Sequence, residues 1–196
     1  MDKMKTIVYK GVSYRCHMRE TLGGYYLEPI KCDNEVLCIP SIVEGVVVKG
    51  IIRGDLNTYS KILLDENNTT FKSVDGVLLS FDGSALILYP PQKKNKSFEI
   101  PNGVKYIFEE SIVNHYLEKI SFPDGVIEIE PYSVYGFNLK TVVLPASIKC
   151  IHCSAFKNNW GIEDVYYQGS KEEWEKLTIG YENEDILAAN LHCNFL

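Results

Sequence analysis

The residues of this chain that come closest to a chemical motif lie around position 150. Cys150 and Cys153 flank His152, and a second histidine and cysteine follow at His192 and Cys193. Thiolate and imidazole groups at such spacing are the usual ligands of a tetrahedral zinc ion. A site of this kind normally shows a second Cys-x-x-Cys pair, which the sequence lacks. We therefore expect the six cysteines to be scattered reduced thiols, and we predict neither a metal nor a cofactor.

Catalytic motifs of other kinds are also missing from the sequence. None of the four histidines lies in a motif such as Gly-x-Ser-x-Gly, which marks an activated serine. Gly23 and Gly24 precede two tyrosines rather than the lysine and hydroxyl residue of a phosphate-binding loop. Carboxylates are plentiful, but a pair of them indicates nothing without a pocket and a distance. We therefore predict that the protein is not an enzyme.

The elements that must position any functional residue recur at a fixed interval. Proline-led turns begin at Pro101, Pro123 and Pro145, each 22 residues after the last. Strand patterns of the form Leu-x-x-Leu-x-Leu end at Phe122 and Leu144, and a third follows after a one-residue insertion. A constant period of this length indicates a solenoid, and this strand pattern is typical of leucine-rich repeats.

Alternation within each strand predicts which side chains are buried. Successive side chains point to opposite faces, so Ile120 and Phe122 face inward while Lys119 and Ser121 face outward. One coil cannot bury its own apolar edge, but stacked coils form a parallel sheet over a continuous core. We therefore predict a mostly β fold with seven stacked strands, centred on Leu37, Ile62, Phe98, Ile120, Val142, Val165 and Leu191.

Residues outside the repeat predict caps and an insertion within one domain. Alternating runs in residues 1–35 indicate an N-terminal β-hairpin that caps the solenoid of residues 36–196. A second hairpin, at about residues 74–90, is indicated by the Asp82-Gly83 turn between apolar runs. From about residue 168 to 196 we expect a C-terminal cap. Its short helix begins with a capping box at Ser170 and Glu173 and lays Trp174 over the last coil.

Several of these segments together resemble the BspA-like leucine-rich repeat proteins over about residues 36–195. The resemblance rests on the Ile-Pro-x-x-Val-x-x-Ile turns, on Val74-Asp75-Gly76-Val77-Leu78, and on the run from Val165 to Trp174. It implies a right-handed solenoid and a role in bacterial surface adhesion or host-protein binding. The family's usual Ala-Phe pair is present here only as Ala155-Phe156, which makes the convex side of the early coils the least regular.

Composition excludes several classes of protein. A net charge of −6 and an isoelectric point near 5.3 argue against nucleic-acid binding, which normally requires a basic face. Apolar stretches are too short for membrane insertion. The first residues also lack the apolar core of a secretory signal. We expect a cytoplasmic protein as the sequence stands, or a cell-surface one if the natural chain is longer.

The outward rows of the stacked strands are the remaining candidate for function. We predict that they form one face and bind an unidentified protein partner in a non-enzymatic, adhesin-like interaction. The predicted contact residues are Leu63, Glu99, Lys119, Ser121, Thr141, Val143, Asp164 and Tyr166. These side chains also suit an ordinary sheet surface, in which case the protein is an architectural or self-associating scaffold.

Exposed aromatic residues leave a third, weaker possibility. Aromatic rings stack on sugars, so glycan binding is an option, although no clustered aromatic groove is apparent in the sequence. Trp160 and Trp174 could anchor a partner, but a large aromatic near a terminal cap more often serves packing.

Overall fold

A computed structural model describes residues 5–53 and 57–195. Strands make up 43% of the structure and helices 6%, which confirms the mostly β fold, and the parallel strands form a solenoid of about seven turns. The strands up to the inserted hairpin are β1 (Lys5–Tyr9), β2 (Val12–Arg19), β3 (Gly24–Cys32), β4 (Val36–Ile39), β5 (Ile42–Val43), β6 (Val46–Ile51), β7 (Lys61–Leu64), β8 (Phe71–Val74), β9 (Val77–Ser80) and β10 (Ala85–Leu88).

The repeating coils and the C-terminal cap supply the remaining elements. Their strands are β11 (Ser97–Glu99), β12 (Tyr106–Ile107), β13 (Ile112–Val113), β14 (Lys119–Ser121), β15 (Glu128–Ile129), β16 (Val134–Tyr135), β17 (Thr141–Leu144), β18 (Cys150–Ile151), β19 (Asp164–Tyr167), β20 (Thr178–Ile179) and β21 (Asn190–Cys193). Two short helices, α1 (Lys171–Trp174) and α2 (Glu184–Leu187), lie in the cap. Within the described residues, no helix has the length and apolar character needed to cross a membrane.

Parallel sheets run along the solenoid and confirm the stacking of the coils. One sheet has the order β11-β14-β17-β19-β21, and we call it the front sheet. Lys119 pairs with Ser97 on one side and with Thr141 on the other, and Thr141 pairs with Asp164. Residues 22 or 23 apart are therefore direct neighbours, as the period predicted. On the other sides run β20-β18-β15-β12-β10-β9-β8 and the pair β13-β16.

Two adjoining hydrophobic clusters form the core. The larger contains the inward columns of the C-terminal coils, including Phe122 and Leu144 together. Ile107, Ile129 and Ile151, one residue per coil, are each completely buried. The smaller cluster joins the N-terminal strands to β4, β7 and β8. Because each column is a row of large apolar side chains removed from water, burial there supplies most of the stabilisation, about 25 cal/mol per Å².

The N-terminal segment forms more than the predicted hairpin. β1, β2 and β3 make a three-stranded antiparallel meander. β3 then pairs in parallel with β6, so the meander is continuous with the sheet of the first coil. Val12, Tyr14 and Leu27 point into the smaller cluster and are fully buried. The segment covers apolar surface of the early coils, as the alternating sequence indicated.

The predicted internal hairpin is present but is not an addition outside the repeat. β9 and β10 pair around the Asp82-Gly83 turn, and β8 extends the hairpin to three strands. The Asp82 carboxylate accepts hydrogen bonds from the Ser80 and Ser84 side chains, and these bonds lower its pKa to about 2. The other edge of β10 pairs in parallel with β12. The hairpin therefore begins the seven-stranded sheet of the solenoid.

Buried asparagines fix the corners of the coils, a feature that sequence reasoning missed. Asn159 Nδ2 donates to the carbonyls of Val134 and Phe156 at 2.8 and 2.6 Å, and its Oδ1 accepts from the Gly136 amide at 2.9 Å. Gly136 lies at the same repeat position one coil earlier. A Cβ there would be 2.4 Å from the Asn114 carbonyl oxygen, so only glycine allows this close approach.

The C-terminal cap confirms the predicted capping box and adds elements that were not predicted. Ser170 Oγ accepts from the Glu173 amide, and the Glu173 carboxylate accepts from the Ser170 amide at 2.7 Å. Trp174 then packs edge-on against Tyr167, with ring centres 5.4 Å apart. Helix α2 buries Ile186 on the larger cluster. β21 pairs with β19, as expected for the last strand of the stack.

Candidate functional site

The outward side chains of the front sheet form two rows, which we call the front face. The sheet register places these residues side by side because the coils stack without slippage in β11, β14, β17, β19 and β21. The first row is Ser97, Lys119, Thr141, Asp164 and Asn190, and the second is Glu99, Ser121, Val143, Tyr166 and His192. Seven of the eight predicted contact residues therefore lie on one face.

Two predicted contact residues differ from the others in their surroundings. Leu63 is 43% exposed but lies on β7, which pairs only with β4 among the described strands, so it does not belong to the front sheet. Val143 lies in the second row, yet only 7% of its surface is exposed. The seven predicted strands therefore do not form one continuous hydrogen-bonded sheet. The β8–β9 turn separates β7 from β11, since the Ile62 amide donates to the Gly76 carbonyl.

An aromatic cluster covers the C-terminal end of the front face. The Tyr166 ring stacks on His192, with ring centres 4.5 Å apart and planes at 14°, and it also contacts Phe195. His192 Nε2 lies 2.7 Å from Asp164 Oδ1, which fixes the imidazole in place. Tyr166 is consequently a rigid, half-buried ring whose hydroxyl makes no hydrogen bond within the described part of the chain, and a tyrosine of this kind can anchor a protein interface.

A groove adjoins the opposite end of the front face. Its volume is about 320 Å³, and two consecutive proline-led turns line it with Pro101 and Pro123. Glu99 and Ser121 belong to both the groove and the front face. The groove exists because equivalent turns leave the sheet at the same height in successive coils. We call it the proline groove.

Alternating charges border the front face at the start of its strands. Lys96, Glu118, Lys140 and Glu163 occupy one position in four successive coils. Lys96 pairs with Glu118 at 2.5 Å, and Lys140 pairs with Glu163 at 3.6 Å. The hydrogen bond from Lys96 lowers the pKa of Glu118. Since these charges neutralise one another, the border adds no strong field of either sign.

A second aromatic feature, on a different side of the molecule, was missed from the sequence. His115, Phe137 and Trp160 occupy one repeat position in successive coils, and we call them the aromatic column. The His115 and Phe137 rings stack 4.7 Å apart, and Trp160 follows at 6.2 Å. Phe137 is 51% and Trp160 75% exposed. The sequence signal for this column was the spacing of 22 and 23 residues, which matches the repeat period. The fold therefore clusters aromatic residues that are far apart in the sequence.

The cysteine and histidine residues of the zinc-like motif are dispersed by the fold. Cys150 lies on β18, whereas His192 and Cys193 lie on β21 of the front sheet. His152 contacts Glu128 at 3.5 Å, and burial raises the pKa of the Cys150 thiol, which makes it a poorer metal ligand. The described residues contain no group of three or more metal-binding side chains. All six cysteines are free thiols.

Comparison with known families decides what kind of repeat this is. Residues 91–183 match the model of the BspA type leucine rich repeat region, in six copies. Residues 91–183 are BspA-type leucine-rich repeats. The matched residues include four of the five front-sheet strands, so the front face is mainly a product of these BspA-type repeats. No curated protein matches the chain.

Solved structures of three bacterial proteins are similar to parts of this chain. A leucine-rich repeat protein from Eubacterium ventriosum is 21% identical, with a TM-score of 0.59 over 70% of this chain and 37% of its own. The pneumococcal vaccine antigen PcpA is 18% identical, with a TM-score of 0.42 over 81% of this chain and 54% of its own. A leucine rich cell surface protein from Faecalibacterium prausnitzii is 22% identical, with a TM-score of 0.40 over 74% of this chain and 50% of its own. The chain thus spans between 37% and 54% of these proteins.

Proposed function

We propose that this protein is a non-enzymatic interaction module that binds a protein partner through the front face. The observation that carries the proposal is the register of five parallel strands, which aligns two outward rows into one continuous surface. Repeat proteins use extended faces of this kind for binding. The resemblance to BspA-like proteins, whose members include surface adhesins, supports the same role.

The dimensions of the front face indicate how a partner would contact it. Five strands about 4.8 Å apart span roughly 19 Å, and three residues of strand add roughly 10 Å in the other direction. A stable interface buries about 800 Å² on each partner, which is several times that area. We therefore place the proline groove and the Tyr166 cluster within the same contact. The groove accepts a protruding side chain, and Tyr166 supplies a rigid aromatic anchor.

The centre of the contact is polar. Lys119 and Glu99 are both exposed on neighbouring strands and make no salt bridge with each other in the described structure. Charges in this position select a partner more than they strengthen its binding, because a wrong charge opposite them costs several kcal/mol. A complementary partner presents an acidic group opposite Lys119 and a basic group opposite Glu99.

A charge exchange across the front face tests this proposal. The double substitution Glu99→Lys and Lys119→Glu leaves the net charge unchanged but inverts the pattern that a partner meets. We expect it to reduce capture of the bound protein from native cell extract at least about tenfold, with an unchanged thermal midpoint, and Tyr166→Ala to reduce it further. Quantitative mass spectrometry of immobilised wild-type and variant protein measures the loss.

Lys72→Glu, at an exposed residue of β8 outside the front face, is the control for a charge reversal elsewhere and should capture as wild type. Equal capture by wild type and the double variant would contradict the proposal. Concentration-dependent oligomers in sedimentation, abolished by the same double substitution, would instead assign the front face to self-association. Val143 is unsuitable for such a test, because a charge at this buried position would disturb packing.

A further inference from the structure

A cavity lies beside the aromatic column. It has a volume of about 410 Å³, and Tyr135 belongs both to its wall and to the aromatic contacts of His115 and Phe137. Among the described residues, its lining includes Arg53, Glu110, Val113, Tyr132, Val134, Tyr135, Lys157 and Asn158. None of these residues lies on the front face. Cavities that hold small ligands range from about 300 to 1,000 Å³, so this one suits one or two small rings.

The two cations of the cavity are already engaged. Arg53 donates to the Glu110 carbonyl at 2.7 Å and to Asn57 Oδ1 at 3.2 Å. The Lys157 ammonium pairs with the Glu182 carboxylate at 2.9 Å. A phosphate or sulfate group would have to displace these contacts and would meet the Glu110 carboxylate. The charges therefore favour an uncharged ligand.

Other polar groups of the cavity wall are open to a ligand. Among the described residues, the hydroxyls of Tyr132 and Tyr135, the carboxylate of Glu110 and the side-chain amide of Asn158 make no hydrogen bond within 3.5 Å. Together they offer both donors and acceptors around an apolar floor formed by Val113 and Val134. A ligand that satisfies these groups must itself carry several hydrogen-bond donors and acceptors.

Exposed aromatic rings extend from the cavity along the solenoid. Tyr132 is 47% and Trp160 75% exposed, although a tryptophan is buried to a large extent on average. Ring faces pair with the apolar C–H faces of sugars, while hydroxyl groups at the sugar edge form hydrogen bonds. A proline-rich peptide also packs on aromatic residues, but its prolines lack donors for the Glu110 carboxylate.

We propose that the cavity and the aromatic column form a binding site for an uncharged oligosaccharide. One sugar ring occupies the cavity, with its hydroxyls on Glu110, Asn158 and the two tyrosine hydroxyls. The following rings of the chain lie on the exposed ring of Trp160, which Phe137 supports within the aromatic column. This site is separate from the front face, so a protein partner and a glycan can be bound at once.

Binding to an array of neutral, sialylated and sulfated oligosaccharides and proline-rich peptides tests this site. We expect wild-type protein to retain neutral oligosaccharides of two or more rings. Tyr132→Asn should weaken retention by about tenfold or more, since stacking and hydrogen bonding at one residue contribute about 1.4 kcal/mol or more. Asparagine is chosen because Tyr132 has a φ of 55°, a left-handed conformation that asparagine tolerates.

Two further variants make the result specific. Trp160→Ala should weaken retention of oligosaccharides longer than one ring, and Phe81→Ala, at a 62% exposed residue outside the site, should bind as wild type. Unchanged thermal midpoints exclude unfolding as the cause of a loss. The proposal is overturned if wild type retains no neutral oligosaccharide, if Tyr132→Asn retains them unchanged, or if only peptides or charged glycans are retained.

Discussion

Replacing Phe156 by alanine should lower the free energy of unfolding by about 3–5 kcal/mol, as expected for a large aromatic removed from a packed core. Phe156 is completely buried, and its ring packs edge-on against Phe122 of the preceding coil, with ring centres 6.2 Å apart. Its loss leaves a cavity between two coils that neither can fill by moving alone. Because each coil is stabilised mainly by its neighbours, the damage should spread to the coils on both sides. Urea denaturation followed by circular dichroism measures the change.

The matched control for this prediction is Phe137→Ala. Both residues are phenylalanines of the repeat region, but Phe137 is 51% exposed and lies on the aromatic column. Its replacement should cost about 1 kcal/mol or less, the amount expected for an aromatic contact at the surface. Similar losses for the two variants would show that the burial assigned to these positions is wrong.

Asn114→Ala should have the second largest effect, a loss of about 3 kcal/mol of unfolding free energy. Only 1% of Asn114 is exposed. Its Nδ2 donates to the carbonyls of Pro90, Pro91 and Lys93 at 2.9–3.1 Å, and its Oδ1 accepts from the amides of Tyr116 and Leu117 at 2.8 and 3.1 Å. Alanine would leave these backbone groups unpaired, and each buried unpaired group costs about 1–3 kcal/mol.

Hydrogen exchange identifies the cause of this loss. The amides of Tyr116 and Leu117 should exchange faster in Asn114→Ala even under strongly native conditions, while amides of β17 and β19 keep their protection. Asn138→Ala is the control, because this residue is exposed and, among the residues that the structure describes, its side chain donates to the His115 carbonyl alone. Unchanged exchange of Tyr116 and Leu117 would contradict the bonding described for Asn114.

The inward columns were the part of the structure that the sequence predicted best. A 22-residue period determines which residues are neighbours, so Ile120 and Val142 could be placed side by side without any tertiary information. The Asp82-Gly83 turn and the Ser170 capping box were also recognisable, because their geometry depends on a few adjacent residues. Local chemistry and a strict repeat are the two cases in which sequence alone fixes position.

Features that depend on packing between unlike segments were not predictable. Nothing local reveals that β10 pairs with β12, or that Leu63 lies outside the front sheet. Val143 follows the outward alternation and is nevertheless buried, because exposure depends on what its neighbours cover. The aromatic column did have a sequence signal, but His115, Phe137 and Trp160 differ in residue type, so the shared position was not apparent from the letters.

Cross-linking of paired cysteines tests the stacking of the coils, on which both proposed surfaces depend. Lys119 and Thr141 are direct partners on neighbouring strands, about 4.8 Å apart and within the range of a disulfide. In Lys119→Cys/Thr141→Cys we predict an intramolecular disulfide on mild oxidation, identified by peptide mass mapping. Lys119→Cys/Asp164→Cys, two strands apart and beyond that range, should stay reduced. A disulfide in the second variant but not in the first would contradict the stacking.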